Sequence, residues 1–202
     1  MRFEELQQTT KGLPWFDLPL LTQMTGQDKG LLTIQLSRWR AAGKVIPLRR
    51  GLYTLAEPYR RVDLSTSQLA NEIYKPSCLS HVWALSFYGL IPEMVVQFTS
   101  VTTRTTRTFK NTLGHFVYFH LKKNLFWGFR KTELDKQPIW MAEPEKALLD
   151  FFHLSPGPWS QERLEALRLQ NLEVLDKKKL KRYTTRWNGP RMHNIIKLLL
   201  KL

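Results

Sequence analysis

The chain has 202 residues, 43% of them hydrophobic and 24% charged, the composition of an ordinary globular protein long enough for one large or two small domains. Its charge is not ordinary: 31 Lys+Arg against 17 Asp+Glu leave a net +14 and a pI near 10.1, which points to a polyanion partner. A single cysteine, Cys78, excludes an intramolecular disulfide, and no uninterrupted apolar run approaches the roughly 18 residues of a membrane span.

Residues 1–12 are mixed polar and read as a first short helix, broken by Gly12-Leu-Pro14. Residues 16–26 read as a second helix, with Asp17 as N-cap, Pro19 in the first turn and Gly26 as the stop. Trp15 and Phe16 are expected to cover the core. Residues 28–42 then form a third helix, capped by Asp28 and ended by Gly43. Leu32, Leu36 and Trp39 recur at helical spacing and form its buried stripe, which leaves Thr33, Ser37 and Arg40 outward with Gln35 and Arg38 beside them. Two short apolar runs, residues 44–48 and 52–55, flank Arg49-Arg50-Gly51. They predict a β-hairpin with two arginines at its tip, Gly51 supplying a positive φ.

A basic helix followed at once by a basic hairpin is how a winged helix-turn-helix meets DNA, the helix in the major groove and the wing on the backbone or minor groove. The charge distribution agrees. Residues 29–56, 94–132 and 177–202 hold no acid, yet carry six, seven and nine basic residues, or 22 of the 31. The expected phosphate contacts are Lys29 and Lys44; the candidates for base edges are Thr33, Gln35, Ser37, Arg38 and Arg40; Arg49 and Arg50 sit on the wing.

Past a linker at residues 57–63, residues 65–74 form a short amphipathic helix through Leu69, Ala70 and Ile73 that the sequence assigns to neither domain. Ser80 is expected to cap a helix over 81–88, ended by Gly89. Residues 95–104, 115–121 and 139–142 have the β-branched and aromatic content of strands, with 105–114 between them as a hairpin or an exposed loop. A helix over 145–153 buries Leu148, Leu149 and Phe152, and Ser155-Pro-Gly-Pro158 breaks the chain. The tail is helical at 161–169, 177–187 and 191–202. Its excess of aliphatic residues predicts that the last helix docks into the second domain or onto another chain. A secondary basic patch is expected from Arg104, Arg107, Lys110, Lys177, Lys178, Lys179, Lys181 and Arg182; the run at 177–182 reads equally as a solvated helix face.

The resulting expectation is an α+β chain, with a winged helix-turn-helix at 1–60 and a mixed α/β domain at 61–202 whose helical basic tail begins near 160. No catalytic constellation emerges. The five histidines lack metal-ligand spacing, and there is no Gly-rich phosphate loop or nucleophile elbow. Glu143, Lys146 and Asp150 share a helix face at i, i+3 and i+7. They read as a helix start with favourable acids and an ion pair to Lys146 rather than as a metal site. The protein is expected to be no enzyme, to carry no cofactor or metal, and, with no N-terminal signal pattern, to be cytoplasmic.

Three segments resemble the AbiEi antitoxins of abortive-infection, type IV toxin–antitoxin systems. They are Arg50-Gly-Leu-Tyr53; Pro76-Ser-Cys-Leu-Ser80 running into Ala84-Leu-Ser-Phe-Tyr-Gly-Leu-Ile-Pro-Glu93; and Ala142-Glu-Pro-Glu-Lys-Ala-Leu-Leu-Asp150, preceded by Leu125-Phe-Trp-Gly-Phe129. The likeness covers about residues 15–155 and departs from the usual pattern at Cys78 and at His81-Val-Trp83. It implies a winged-helix domain that binds inverted repeats in its own promoter and represses the operon. It also implies a second domain that counters a nucleotidyltransferase-like toxin without a stable complex. Two other readings stay open: a solitary winged-helix regulator, and a basic interaction protein that binds RNA or the toxin directly.

Overall fold

The computed structural model describes residues 1–187 and 189–201, a mixed α+β chain. It divides into two units: Met1–Thr66 with Lys110–Leu113, and Ser67–Phe109 with Gly114–Leu202.

In the first unit, helix α1 (Phe3–Thr9) buries Phe3 and Leu6. Strand β1 (Phe16–Asp17) leads straight into α2 (Leu18–Thr25), where the Asp17 carboxylate accepts the Leu20 N–H at 2.9 Å and Gly26, at φ 66°, ends the helix. Helix α3 (Lys29–Ala41) starts at Asp28, whose carboxylate accepts the N–H groups of Gly30 and Leu31 at 2.8 and 3.1 Å. Strands β2 (Val45–Arg49) and β3 (Leu52–Leu55) pair antiparallel through an Arg50-Gly51 turn, with Gly51 at φ 79° and a register shift between Pro47 and Arg49. The three-stranded sheet runs β1-β3-β2. Phe3, Leu6, Phe16, Leu21, Leu32, Leu36, Val45 and Leu55 form one buried cluster between the helices and the sheet.

Two expectations change here. Phe16 is not the start of a helix but a strand residue opposite Tyr53, a partner too distant in sequence to be read locally. The supposed linker begins with a 3-10 turn, Glu57–Tyr59, and Tyr59 meets the Phe3 ring edge-on at 4.9 Å.

The second unit is built from α4 (Thr66–Ile73), β4 (Ser77–Leu79), α5 (His81–Phe87), β5 (Phe98–Thr102), β6 (Arg107–Asn111), β7 (Gly114–His120), β8 (Phe129–Leu134) and β9 (Gln137–Ala142), except that Thr66 and the last two residues of β6 count with the first. The α-helices α6 (Pro144–Leu154), α7 (Gln161–Ala166), α8 (Lys177–Thr184) and α9 (Pro190–Leu199) follow. The sheet order is β6-β7-β5-β4-β9-β8, parallel at β5/β7 and β4/β9 and antiparallel at β4/β5 and β8/β9. Strand β4 is therefore central and was not legible as a strand. Flanked by Pro76 and Ser80, it holds only Ser77, Cys78 and Leu79. Strand β8, rich in charged residues, carries no clear strand pattern in the sequence either; it pairs with β9 across Asp135-Lys136, both at positive φ. Residues 107–111 settle as a strand rather than a loop.

Helix α4 ties to this sheet at two points: Tyr118 donates its hydroxyl to Ala70 O at 2.6 Å, and Asn71 exchanges hydrogen bonds with the Trp140 backbone at 2.7 and 3.1 Å. The tail helices are shorter than expected. Helix α7 ends at Ala166, just before Arg168 at φ 49°, and α8 ends at Thr184. The expected extension of the last helix to residue 202 lies in part outside the described residues. Helix α9 packs on α6, α7 and α8 through Met192, Ile195, Ile196 and Leu199. Among the described residues no helix is long and apolar enough to cross a membrane.

Candidate nucleic-acid interface

Helix α3 has a clear inside. Leu32 and Leu36 are buried, and Trp39 packs half-buried on the same cluster with its ring 5.6 Å from that of Phe3. At about 100° per residue, the direction opposite this stripe falls on Gly30, Ile34 and Ala41, with Leu31, Ser37 and Arg38 next to them. The exposures agree: Leu31 is 59% and Ile34 52% exposed, and Ser37 and Arg38 are exposed beside them.

This corrects the expected outer face. Thr33 and Arg40, though exposed, lie toward one edge of it, and the Thr33 hydroxyl is engaged with Lys29 O at 2.7 Å. Gln35 lies at the other edge, half-buried, with an Oε1 that is enclosed and without a hydrogen-bond partner among the described residues. Two of the exposed large side chains of the helix are thus aliphatic. Periodicity alone could have found them, because both are off the buried stripe by more than a quarter turn.

Around this face the charge is one-sided. Lys29 is exposed at the first turn, and Arg38 and Arg40 are exposed in the last turn, where cations also favour the helix C-terminus. Lys44 starts the hairpin half-buried, its ammonium 4.6 Å from the centre of the Phe3 ring. Arg50 is exposed at the turn, and Arg49 folds over it, donating Nη1–H to Arg50 O at 2.7 Å. The two acids that precede this stretch, Asp17 and Asp28, are occupied as helix caps, and Glu57, which follows it, is exposed in the 3-10 turn after the hairpin. Six cations with no acid between them, on one helix and the hairpin that follows, give a surface whose natural counterpart is a polyanion.

The residues of the secondary patch fall on different elements. Arg104 covers the Tyr74 ring at 4.2 Å and donates to Lys75 O, and Arg107 stands 5.1 Å from the Phe109 ring; Lys110 is exposed on β6. On α8, Lys177, Lys178, Lys181 and Arg182 are exposed. Lys179 is not available to a polyanion as expected. It reaches Glu143 at 2.9 Å and Glu145 at 3.2 Å, because α8 packs against the start of α6. Tyr183 donates to the other Glu143 oxygen at 2.6 Å. Burial pushes the Glu143 carboxyl up, but the Tyr183 and Lys179 hydrogen bonds and the Lys179 charge outweigh it, so its pKa falls below the usual value.

The face of α6 read as a simple helix start is a buried polar chain. The Lys146 ammonium pairs with Asp150, and the Ser80 hydroxyl donates to the other Asp150 oxygen at 2.7 Å. Ser80, Lys146 and Asp150 are 0%, 1% and 0% exposed. Ser80 stands at the N-cap position of α5 as expected, but its side chain makes no cap hydrogen bond and is drawn into the interior instead. Trp127 and Trp187 flank the Lys146 ammonium at 5.3 and 5.4 Å from their ring centres. Cys78 lies in the same interior, and burial pushes its thiol far up. A nucleophile needs access to its substrate; this chain of groups is closed off and instead joins the corner before α5 to α6. No group of three or more His, Cys, Asp or Glu suited to a metal occurs among the described residues. No known protein family and no curated protein matches the chain.

Proposed function

We propose that this chain is a sequence-reading DNA-binding protein whose first unit works as a winged helix-turn-helix, with α3 as the recognition helix and the β2–β3 hairpin as the wing. The single observation that carries this reading is the solvent face of α3 and the hairpin, with six cations and no acid over residues 29–56. The order of elements supports it: a short capped helix, a tight turn at Gly26, a second capped helix and a hairpin, all around one core. Phosphate contacts from Lys29, Lys44 and Arg50 set affinity, and the outer face of α3 sets sequence preference.

The resemblance to AbiEi antitoxins extends the reading. Such a protein represses its own operon by occupying inverted repeats in the promoter, and its second unit counters a nucleotidyltransferase-like toxin. The interior chain of Ser80, Asp150 and Lys146 then serves to hold that second unit together.

Fluorescence anisotropy of the full chain on its upstream duplex and on a scrambled duplex, at several salt concentrations, tests the proposal. Tighter binding to the upstream duplex that survives rising salt is expected. Equal binding to both that vanishes with salt overturns it, and equal binding to single-stranded RNA would turn the reading toward a basic interaction protein.

A further inference from the structure

We infer that Leu31 and Ile34 read the 5-methyl groups of thymines in the major groove. The inference deepens the DNA-reading proposal above and rests on it. Two large aliphatic side chains, 59% and 52% exposed, stand on the face of α3 opposite its buried stripe. The exposed charges of the same helix are all cations: Arg38 stands one turn after Ile34 on the same face, Lys29 lies in the first turn with Leu31, and Arg40 is exposed in the last turn. A protein partner for an aliphatic patch would not call for a helix whose only charges are positive; a groove walled by phosphates does. The floor of the major groove is polar except at thymine, whose methyl is its apolar group, and aliphatic contact there separates thymine from cytosine.

The position along the helix fits as well. Both residues lie in the N-terminal half of α3, the part of a recognition helix that meets base edges. A rise of about 1.5 Å per residue separates Leu31 from Ile34 by about 4.5 Å along the axis, close to the ~3.4 Å step between base pairs. Arg38 follows about 6 Å further on, which places a guanine contact one or two pairs beyond the thymines. The preferred site is therefore a thymine pair, on one strand or split between the two, with a guanine just downstream of it.

The test starts from selection of duplexes by the full chain out of a random library. Each thymine of the enriched site is then replaced in turn by deoxyuridine, which differs only in lacking the methyl. Binding is measured for the wild-type chain, Leu31→Ala, Ile34→Ala and Ile34→Gln. At one or two positions deoxyuridine should weaken wild-type binding about fourfold per methyl, while Ile34→Ala binds the two duplexes alike at its position. Ile34→Gln should move the preference there from thymine toward adenine. An enriched site whose binding ignores every deoxyuridine, or whose sensitivity survives in all three variants, overturns the methyl contact and leaves DNA reading in place. Enrichment of no site overturns both. Because the two side chains are exposed, unchanged circular dichroism and melting are expected for all three variants.

Discussion

Lys146 and Asp150 form an ion pair one turn apart on α6 that is shut off from solvent at both ends, the side chains being 1% and 0% exposed. The pair is tolerated because its remaining valences are met: Ser80 donates to the second Asp150 oxygen, and the faces of Trp127 and Trp187 flank the ammonium. Burial pushes the Asp150 carboxyl up, against the opposing pull of Lys146 and of the Ser80 hydroxyl.

Removing one partner should therefore be worse than removing both. Lys146→Met or Asp150→Leu alone should cost about 3–5 kcal/mol in urea unfolding, since each leaves a charge buried without its counterpart. The double variant should cost clearly less than the sum of the two. Strict additivity in this double-mutant cycle would show that the charges are not coupled.

The stem of Lys146 also explains a glycine. A Cβ on Gly128 would lie 3.1, 3.2 and 3.3 Å from Lys146 Cγ, Cβ and Cδ, and the residue sits at φ 73°. Gly128→Ala should destabilise by about 1–3 kcal/mol through strain and displacement of the ammonium. Gly12→Ala is the control: a Cβ there meets nothing within 4 Å, and its melting temperature should stay within a degree or two of wild type.

Acid should loosen the second unit through His81. Its ring packs against Phe119 and Phe151, at 4.7 and 5.1 Å, and burial lowers its pKa from 6.5 to about 4. The unfolded chain therefore binds the proton first. Stability is fully present above 6.5 and is lost as pH falls toward 4, by on the order of 3 kcal/mol. His153, whose pKa burial also lowers, acts in the same direction. Glu143, held below its usual value, adds a further loss only under more acidic conditions. Unfolding free energy measured across this range should rise with pH for the wild type and less steeply for His81→Asn; parallel curves would exclude His81 as the source. Asn is chosen because the backbone at position 81 is left-handed, at φ 59°.

If the first unit binds DNA as proposed, salt should separate phosphate contacts from base contacts. If about six phosphates are neutralised, log K should fall against log salt with a slope near −5, and Arg50→Ala should reduce that slope by about one without changing sequence preference. Arg40→Ala should cost on the order of 1–3 kcal/mol and relax preference at one position if the side chain reaches a base. Its place at the edge of the outer face makes a phosphate contact the competing outcome, read as a smaller salt slope with preference intact.

What the sequence by itself determined is local. Asp17 and Asp28 cap α2 and α3, Gly26 and Gly43 take positive φ just after them, and Gly51 turns the hairpin, because each of these devices closes within about four residues. The α3 stripe of Leu32, Leu36 and Trp39 was likewise readable from spacing. The tertiary structure alone decided what depends on distant partners. Two residues at β1 become a strand only because β3 offers an edge, and three residues at β4 only because β5 and β9 lie on either side. Lys146 and Asp150 look like solvated helix charges in a sequence; they are interior because α5, α6 and the tail close over them. Spacing puts Leu31 and Ile34 off the stripe, and the packing leaves them in solvent rather than under a neighbouring element, since three side chains already fill the inner face of α3. Hydrogen bonds between neighbours are written in composition and spacing. Burial is a property of the whole packed chain, and it alone sorted these charges inward and these aliphatics out.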